Sequence, residues 1–408
     1  MVGDESSLQV KRSDIVYKHM QDPALLRYYY KIKTISDINI KNFELSGTSP
    51  TDIFIGRYNY PNVYVGPLVP PEFGDTSALG TPERWRDFSI EKIVEFRSKL
   101  VRGMYPVKAT DVDKNKIVQQ IQELAMAEKF ENTSMNFTGK PIVKLELKDE
   151  VQPFGPSVYM KNLEIPNIKA EKHIEKMSLD YDAKASTALT ELYNKNIEIS
   201  KIQRAFSAGL FGMRDKRRLI PTRWSITAVD DTLSKYNLNE VKSYDCIDSI
   251  YTFFNTSLDN RWLIFFVPGN WQYESMEAWW PKTIWNENGS SISIYSSYES
   301  YYGRKTYAEI GGCYYAARLA VTEKLKQLKR QAVVIILREV HEGYTMPVGV
   351  WNVREHVRET LSNNPIILHS IDEMLSIIKE KLSISPEEWI KNGRLLANLY
   401  KQKRLSLF

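Results

Sequence analysis

The sequence predicts an α+β fold: mixed sheets with packed helices, and a terminal helix followed by a flexible C-terminal peptide. Three observations carry this. Apolar runs of strand length, WLIFFVP (262–268) and AVVIIL (332–337), occur in the same chain as segments whose apolar residues recur at helical spacing. Hydrophobic residues make up 43% and aromatics 12% of the 408 residues, enough for a sizeable core. No internal repeat or low-complexity tract interrupts the pattern.

Residues 1–45 read as mixed, partly extended or helical, with LRYYYKIK (26–33) setting three tyrosines between basic residues. Residues 46–85 are dense in Gly and Pro and read as short strands, IFIGRY and VYVGPL, followed by a long shaped loop. Ser89 caps a helix over SIEKIVEFRSKLVRG, with Gly103 as its stop. A second helix is expected over 113–129 and a strand over PIVKLEL (141–147). VQPFGPS (151–157) marks a soft boundary, giving an N-terminal α+β region over 1–150, a C-terminal one over 151–400 and a tail over 401–408. Helices follow at 170–178 and 183–209, strand-like runs at 241–254, 261–267, 290–296 and 332–340, and helices at 311–331 and 351–362. Ser385, Pro386 and Glu388 form a capping box that starts the terminal helix.

Several function classes lack their signatures. No apolar run approaches the ~18 residues that a membrane span needs. The polar N-terminus has no signal-peptide core, and a cytoplasmic placement is expected. Cys246 and Cys313 fit neither a metal spacing nor a disulfide framework. Walker-type, dinucleotide-binding, zinc-protease and nucleophile-elbow motifs are all missing. A formal charge of +5 permits nucleic-acid binding without demanding it, so the clustering of cations matters more than their sum.

FGMRDKRRLIPTRW (211–224) concentrates Arg214, Lys216, Arg217, Arg218 and Arg223. Guanidinium groups donate in pairs to phosphates, so this cluster, with Arg57 from the first Gly/Pro-rich loop, is the candidate DNA contact. YSSYESYYGRKTY (295–307) alternates tyrosines with Arg304 and Lys305, a pattern that fits base stacking but reads better as packing. WQYESMEAWWPKTIW (271–285) reads as core. The cations of EKLKQLKRQ (323–331) suit the end of a helix. Asp230, Asp231, Glu339 and His341 are the candidate catalytic groups; acidic side chains from two such places are what a Mg²⁺ or Mn²⁺ nuclease would need.

Five blocks together resemble the archaeal DNA repair protein family NreA: SPTDIFIGRYNYPNVYVGPLVPP (49–71), GDT (74–76), FRSKLVRG (96–103), RRLIPTRWSITAVDD (217–231) and YTMPVGVWNVREHVRE (344–359). The resemblance implies tolerance of DNA damage and binding of the sliding clamp PCNA through a C-terminal peptide. It brings no settled chemistry, so whether the protein is an enzyme stays open. Many members of that family begin with a cysteine-rich, zinc-ribbon-like segment, whereas no cysteine precedes Cys246 here. QKRLSLF (402–408) fits the clamp-binding pattern: Gln402 supplies polar contacts and a helix-like turn sets Leu405 and Phe408 on one face. The readings carried forward are a DNA repair factor tethered to PCNA whose body touches DNA, a metal-dependent nuclease acting on damaged or branched DNA, and an adaptor between PCNA and another repair protein.

Overall fold

A computed structural model describes residues 43–140, 142 and 151–405, the last three of these as backbone only. LRYYYKIK and nearly all of the strand expected over 141–147 lie outside the described residues.

The first sheet has six strands: β1 (Glu44–Ser49), β2 (Ile53–Ile55), β3 (Asn62–Val69), β4 (Val101–Lys108), β5 (Glu131–Phe137) and β6 (Ser157–Glu164). Its order is β1-β5-β6-β4-β3-β2, antiparallel except where β4 runs parallel to β6. The two strands read at 53–69 form the β2–β3 hairpin. β1, β4, β5 and β6 are additional. The helix capped by Ser89, α2 (Ile90–Ser98), therefore ends before Gly103, which lies inside β4. Gly103 packs where β3 crosses closely: a Cβ on Gly66 would fall 1.9 Å from the Gly103 carbonyl oxygen. Because β6 completes this sheet, the boundary expected at 151–157 falls between two of its strands. Ahead of α2 come the one-turn α1 (Ser77–Gly80) and a 3₁₀ turn at Pro82–Arg84.

Helices α3 (Lys116–Met126), α4 (Lys172–Leu179), α5 (Ala185–Asn194) and α6 (Ile199–Ser207) cover this sheet with a shared core. The single helix expected over 183–209 is α5 and α6, separated at Asn196, whose φ of 58° lies in the left-handed region that ends helices. Next comes α7 (Thr222–Val241), whose Ser225, Ile226, Val229, Asp230, Leu233, Ser234, Asn237, Leu238 and Val241 form one continuous buried stripe at helical spacing.

The second sheet contains β7 (Ile250–Ser257), β8 (Asn260–Val267), β9 (Gln272–Trp279), β10 (Ser293–Glu299), β11 (Val333–Val340) and β12 (Ile366–Leu368), in the order β10-β9-β11-β8-β7-β12. α7, α8 (Gly312–Leu328) and α9 (Trp351–Ser362) pack on one face through Val334 and Ile336. On the other face, Ile335 and Leu337 meet α10 (Ile371–Lys381), α11 (Pro386–Asn392) and α12 (Leu395–Leu405). Ser385 caps α11 as expected, but the terminal helix breaks at Gly393 and resumes as α12. α12 continues through Gln402, which is exposed; Phe408 lies outside the described residues.

A buried ionic layer joins α7, α8, α9 and the 3₁₀ turn. Arg354 donates to both carboxylate oxygens of Asp230 at 3.0 and 3.2 Å and lies near Glu355 and Glu83. Arg358 binds Glu323 and Glu355. Burial pushes the Asp230 carboxyl up to about 6 against the pull of Arg354. Burial also holds His356 down at about 4. The unfolded chain thus takes up a proton near pH 6.5 that folded His356 refuses. Its contribution is complete above that pH and is lost as pH falls toward 4, by roughly 3 kcal/mol. Asp230 acts in the opposite sense over the same range, so a comparison with its own variant isolates the histidine. His356→Gln should lose less stability than the parent between pH 6.5 and 4 by roughly that amount, read from urea unfolding at stepped pH; parallel curves would refute the assignment.

Candidate nucleic-acid interface

Arg57 sits at the exposed tip of the β2–β3 hairpin, with its guanidinium 5.6 Å from the Tyr58 ring. Asn59 tolerates a left-handed φ of 66° in this turn, and Tyr60 N–H donates to the Arg57 carbonyl. The hairpin is tied to the start of α7, because Ile55 N–H donates to Thr222 Oγ1 at 2.9 Å. Arg223 and Trp224 lie in that same first turn. Trp224 is off the buried stripe and 44% exposed, with its ring 5.1 Å from Tyr60.

The third wall comes from residues 304–307. Arg304 fixes this loop: it donates to the carbonyls of Thr306, Tyr298 and Tyr307 and makes a forked pair with Glu309 at 2.9 and 2.8 Å. That leaves Lys305 exposed and Tyr307 58% exposed, its ring 5.4 Å from Tyr315. Arg57, Arg223, Trp224, Thr227, Asp231 and Tyr307 line one cavity of about 440 Å³. A smaller cavity of about 230 Å³ shares Asp231, Tyr307 and Tyr315 with it and adds Lys235, Lys305 and Arg318.

Arg57 and Arg223 thus come together, while the rest of the expected cluster divides. Arg214, Lys216 and Arg218 are exposed on the 3₁₀ turn at Arg214–Lys216 and its flank. Arg217 is buried: it donates to the carbonyls of Gly212, Ser178 and Asp180 at 2.8, 2.6 and 2.8 Å and lies 4.4 Å from the Tyr181 ring. Each of its three nitrogens is engaged inside the protein and the side chain is buried, so it is not presented to a phosphate at the surface. Several tyrosines expected to pack in 295–307 instead face solvent: Tyr295, on the edge strand β10, is 39% exposed, and Tyr302, in the turn after it, is 93% exposed. The core reading of 271–285 holds for Trp271, Tyr273 and Trp279, whereas Trp285 is 41% exposed. Trp224, Tyr60 and Tyr307, whose rings the fold gathers around this surface, are not singled out by the sequence pattern, except that Trp224 breaks the helical stripe that its neighbours keep.

The four candidate catalytic groups do not form one site. Asp230 is paired with Arg354 and also accepts from Gln203 at 3.3 Å, on the α7 side of the second sheet. Asp231 accepts from Arg318 and from Lys235. Glu339 alternates with Ile335 and Leu337 onto the opposite face, where it accepts from the backbone N–H groups of Ser383 and Ile384, each at 2.8 Å. His341 is 3.0 Å from Glu339 and stacks on Trp280. Among the described residues no group of three or more His, Cys, Asp or Glu is placed to hold a metal ion, so no Mg²⁺ or Mn²⁺ site is assembled from these side chains.

Two family models match the chain: "Archaeal Nre, N-terminal" over residues 21–286 and "Archaeal Nre, C-terminal" over 299–408. The DNA repair protein NreB of Archaeoglobus fulgidus is 37% identical over 354 residues, covering 86% of this chain and 89% of that protein. The DNA repair protein NreA of the same organism is 33% identical over 361 residues, 88% and 90% of the two chains. NreA of Haloferax volcanii is 32% identical over 363 residues, 86% of each. No solved structure matches the chain.

The buried and exposed arginines should separate by experiment. Arg217→Ala should cost roughly 2–4 kcal/mol in chemical unfolding, since three buried carbonyls lose a charged donor. Arg218→Ala should stay within ~0.5 kcal/mol of the parent. A similar cost for both would show that Arg217 is not the internal clamp.

Proposed function

The chain belongs to the archaeal Nre family, and from that premise we propose that it is a DNA repair factor whose body grips DNA at the Arg57–Arg223–Trp224 groove and whose C-terminal peptide docks on the sliding clamp PCNA. The repair role is supported by relatives that carry that name across most of both chains. The observation that carries DNA binding is the convergence of three separate segments on one surface, with Arg57, Arg223 and Lys305 around the exposed rings of Trp224, Tyr60 and Tyr307. Cations that follow a phosphate backbone, interleaved with aromatic faces, are the chemistry of single-strand binding. Every base has a π-face, so such a groove tolerates sequence.

Clamp docking rests on spacing. Gln402, Leu405 and Phe408 recur every third residue, which brings them to neighbouring positions along one side of a helical turn. Gln402 is already exposed on α12. Two apolar groups beside one amide suit a partner that offers an apolar pocket with a polar rim. Lys401, Lys403 and Arg404 add attraction to an acidic surface.

Two experiments test the halves separately. The Arg57→Ala/Arg223→Ala double variant should bind a single-stranded oligonucleotide more weakly in anisotropy titrations, and its log K against log[salt] slope should shrink by about 1.4, ~0.7 for each lost phosphate contact. An unchanged slope would remove these residues from the interface and favour the adaptor role. In calorimetry with the clamp of the same organism, the full chain should give a binding isotherm that vanishes when residues 402–408 are deleted. Equal binding by both forms would move the clamp contact elsewhere.

A further inference from the structure

The cavity of about 440 Å³ falls within the ~300–1,000 Å³ of small-ligand clefts. Its walls differ in kind. Trp224, Tyr307 and Tyr315 supply ring faces, and Thr227 and Asp231 supply a polar edge. Asp231 already accepts from Arg318 and Lys235, one on each carboxylate oxygen. Each oxygen keeps a second lone pair, so the carboxylate still has capacity for a ring N–H or an exocyclic amino group. Arg57 and Arg223 stand on the rim formed with the hairpin, and the adjoining 230 Å³ cavity adds Lys235, Arg304, Lys305 and Arg318. Arg304 and Arg318 there are committed to carbonyls and carboxylates, which leaves exposed Lys305 to meet a phosphate.

A cavity walled by aromatic rings and a hydrogen-bonding edge, with cations beside it, complements a nucleotide. We propose that this pair of cavities takes one unpaired nucleotide of a DNA strand, its base against Trp224 and Tyr307 and its phosphate at Lys305. The inference rests on the DNA-binding reading above and sharpens it: the protein would distinguish DNA by whether a base is free to leave the stack. A paired base offers neither of its faces, whereas a mismatched, damaged or extrahelical base costs least to extrude.

The test compares two short duplexes of matched length, one fully paired and one with a single extrahelical adenine, titrated with the full chain at one salt concentration. The parent protein should favour the second by about five- to 150-fold, the span expected for one base stacked on an aromatic side chain. In Trp224→Ala and in Tyr307→Ala the ratio should fall toward one, and Trp224→Phe should restore much of it. Circular dichroism and the melting temperature check that each variant is folded; Trp224 is exposed enough for its loss to be tolerated. A parent ratio near one, with both duplexes bound, overturns the base pocket and leaves the DNA groove standing. A ratio that survives both alanine variants also overturns it, because the base then enters elsewhere. Failure to bind either duplex, or the single strand, overturns the groove and the pocket together.

Discussion

The pairing of Asp230 with Arg354 is the constraint on which the rest of this structure depends. Both side chains are cut off from water, and each would be costly to bury alone. Arg354 offsets that cost by donating to both carboxylate oxygens and by engaging Glu355. The pair fixes the rotation of α7 against α9. α7 has to be fixed because it serves two cores: Val229 and Leu233 face the layer under the first sheet, while Ile226, Leu238 and Val241 face the layer on the second. Once α7 is set, so is its first turn, and Arg223 and Trp224 are carried to the surface with it.

Arginines divide the labour in this protein. Arg217, Arg304, Arg318 and Arg354 spend their donors on internal carbonyls and carboxylates. The guanidinium fork suits that work because it can satisfy several acceptors from one planar group. Burial opposes the charge on Arg318, and Glu299 and Asp231 more than compensate, so it is held well above its ordinary value. One of these clamps, Arg304, shapes the loop that presents Lys305 to solvent.

The groove also crosses the division between the two family models. Arg57, Arg223 and Trp224 lie within residues 21–286, whereas Lys305 and Tyr307 lie within 299–408. Neither part holds the full set of walls. The same is true of the ionic layer, where Asp230 from the first part meets Arg354 from the second. The groove is therefore complete only where the two parts meet.

The sequence by itself determined the elements whose signal is local. Ser89 and Ser385 cap helices at the expected places, α9 spans 351–362, and the apolar runs at 261–267 and 332–340 are β8 and β11. It also marked Arg57 and the cations of 214–223 as one group, without separating the buried Arg217 from the rest. Strands β1, β4, β5 and β6 escaped because their residues carry little apolar alternation of their own, and their neighbours in the sheet hold them in place. Only the tertiary structure decided which arginines are internal clamps and which face solvent, that Glu339 and Asp230 stand on opposite faces of a sheet, and that Tyr307 and Trp224 line one cavity. The physical reason is the same throughout. Caps and periodicity act within a few residues of chain, whereas burial, pairing and the sharing of a surface depend on groups that meet only after the chain has folded.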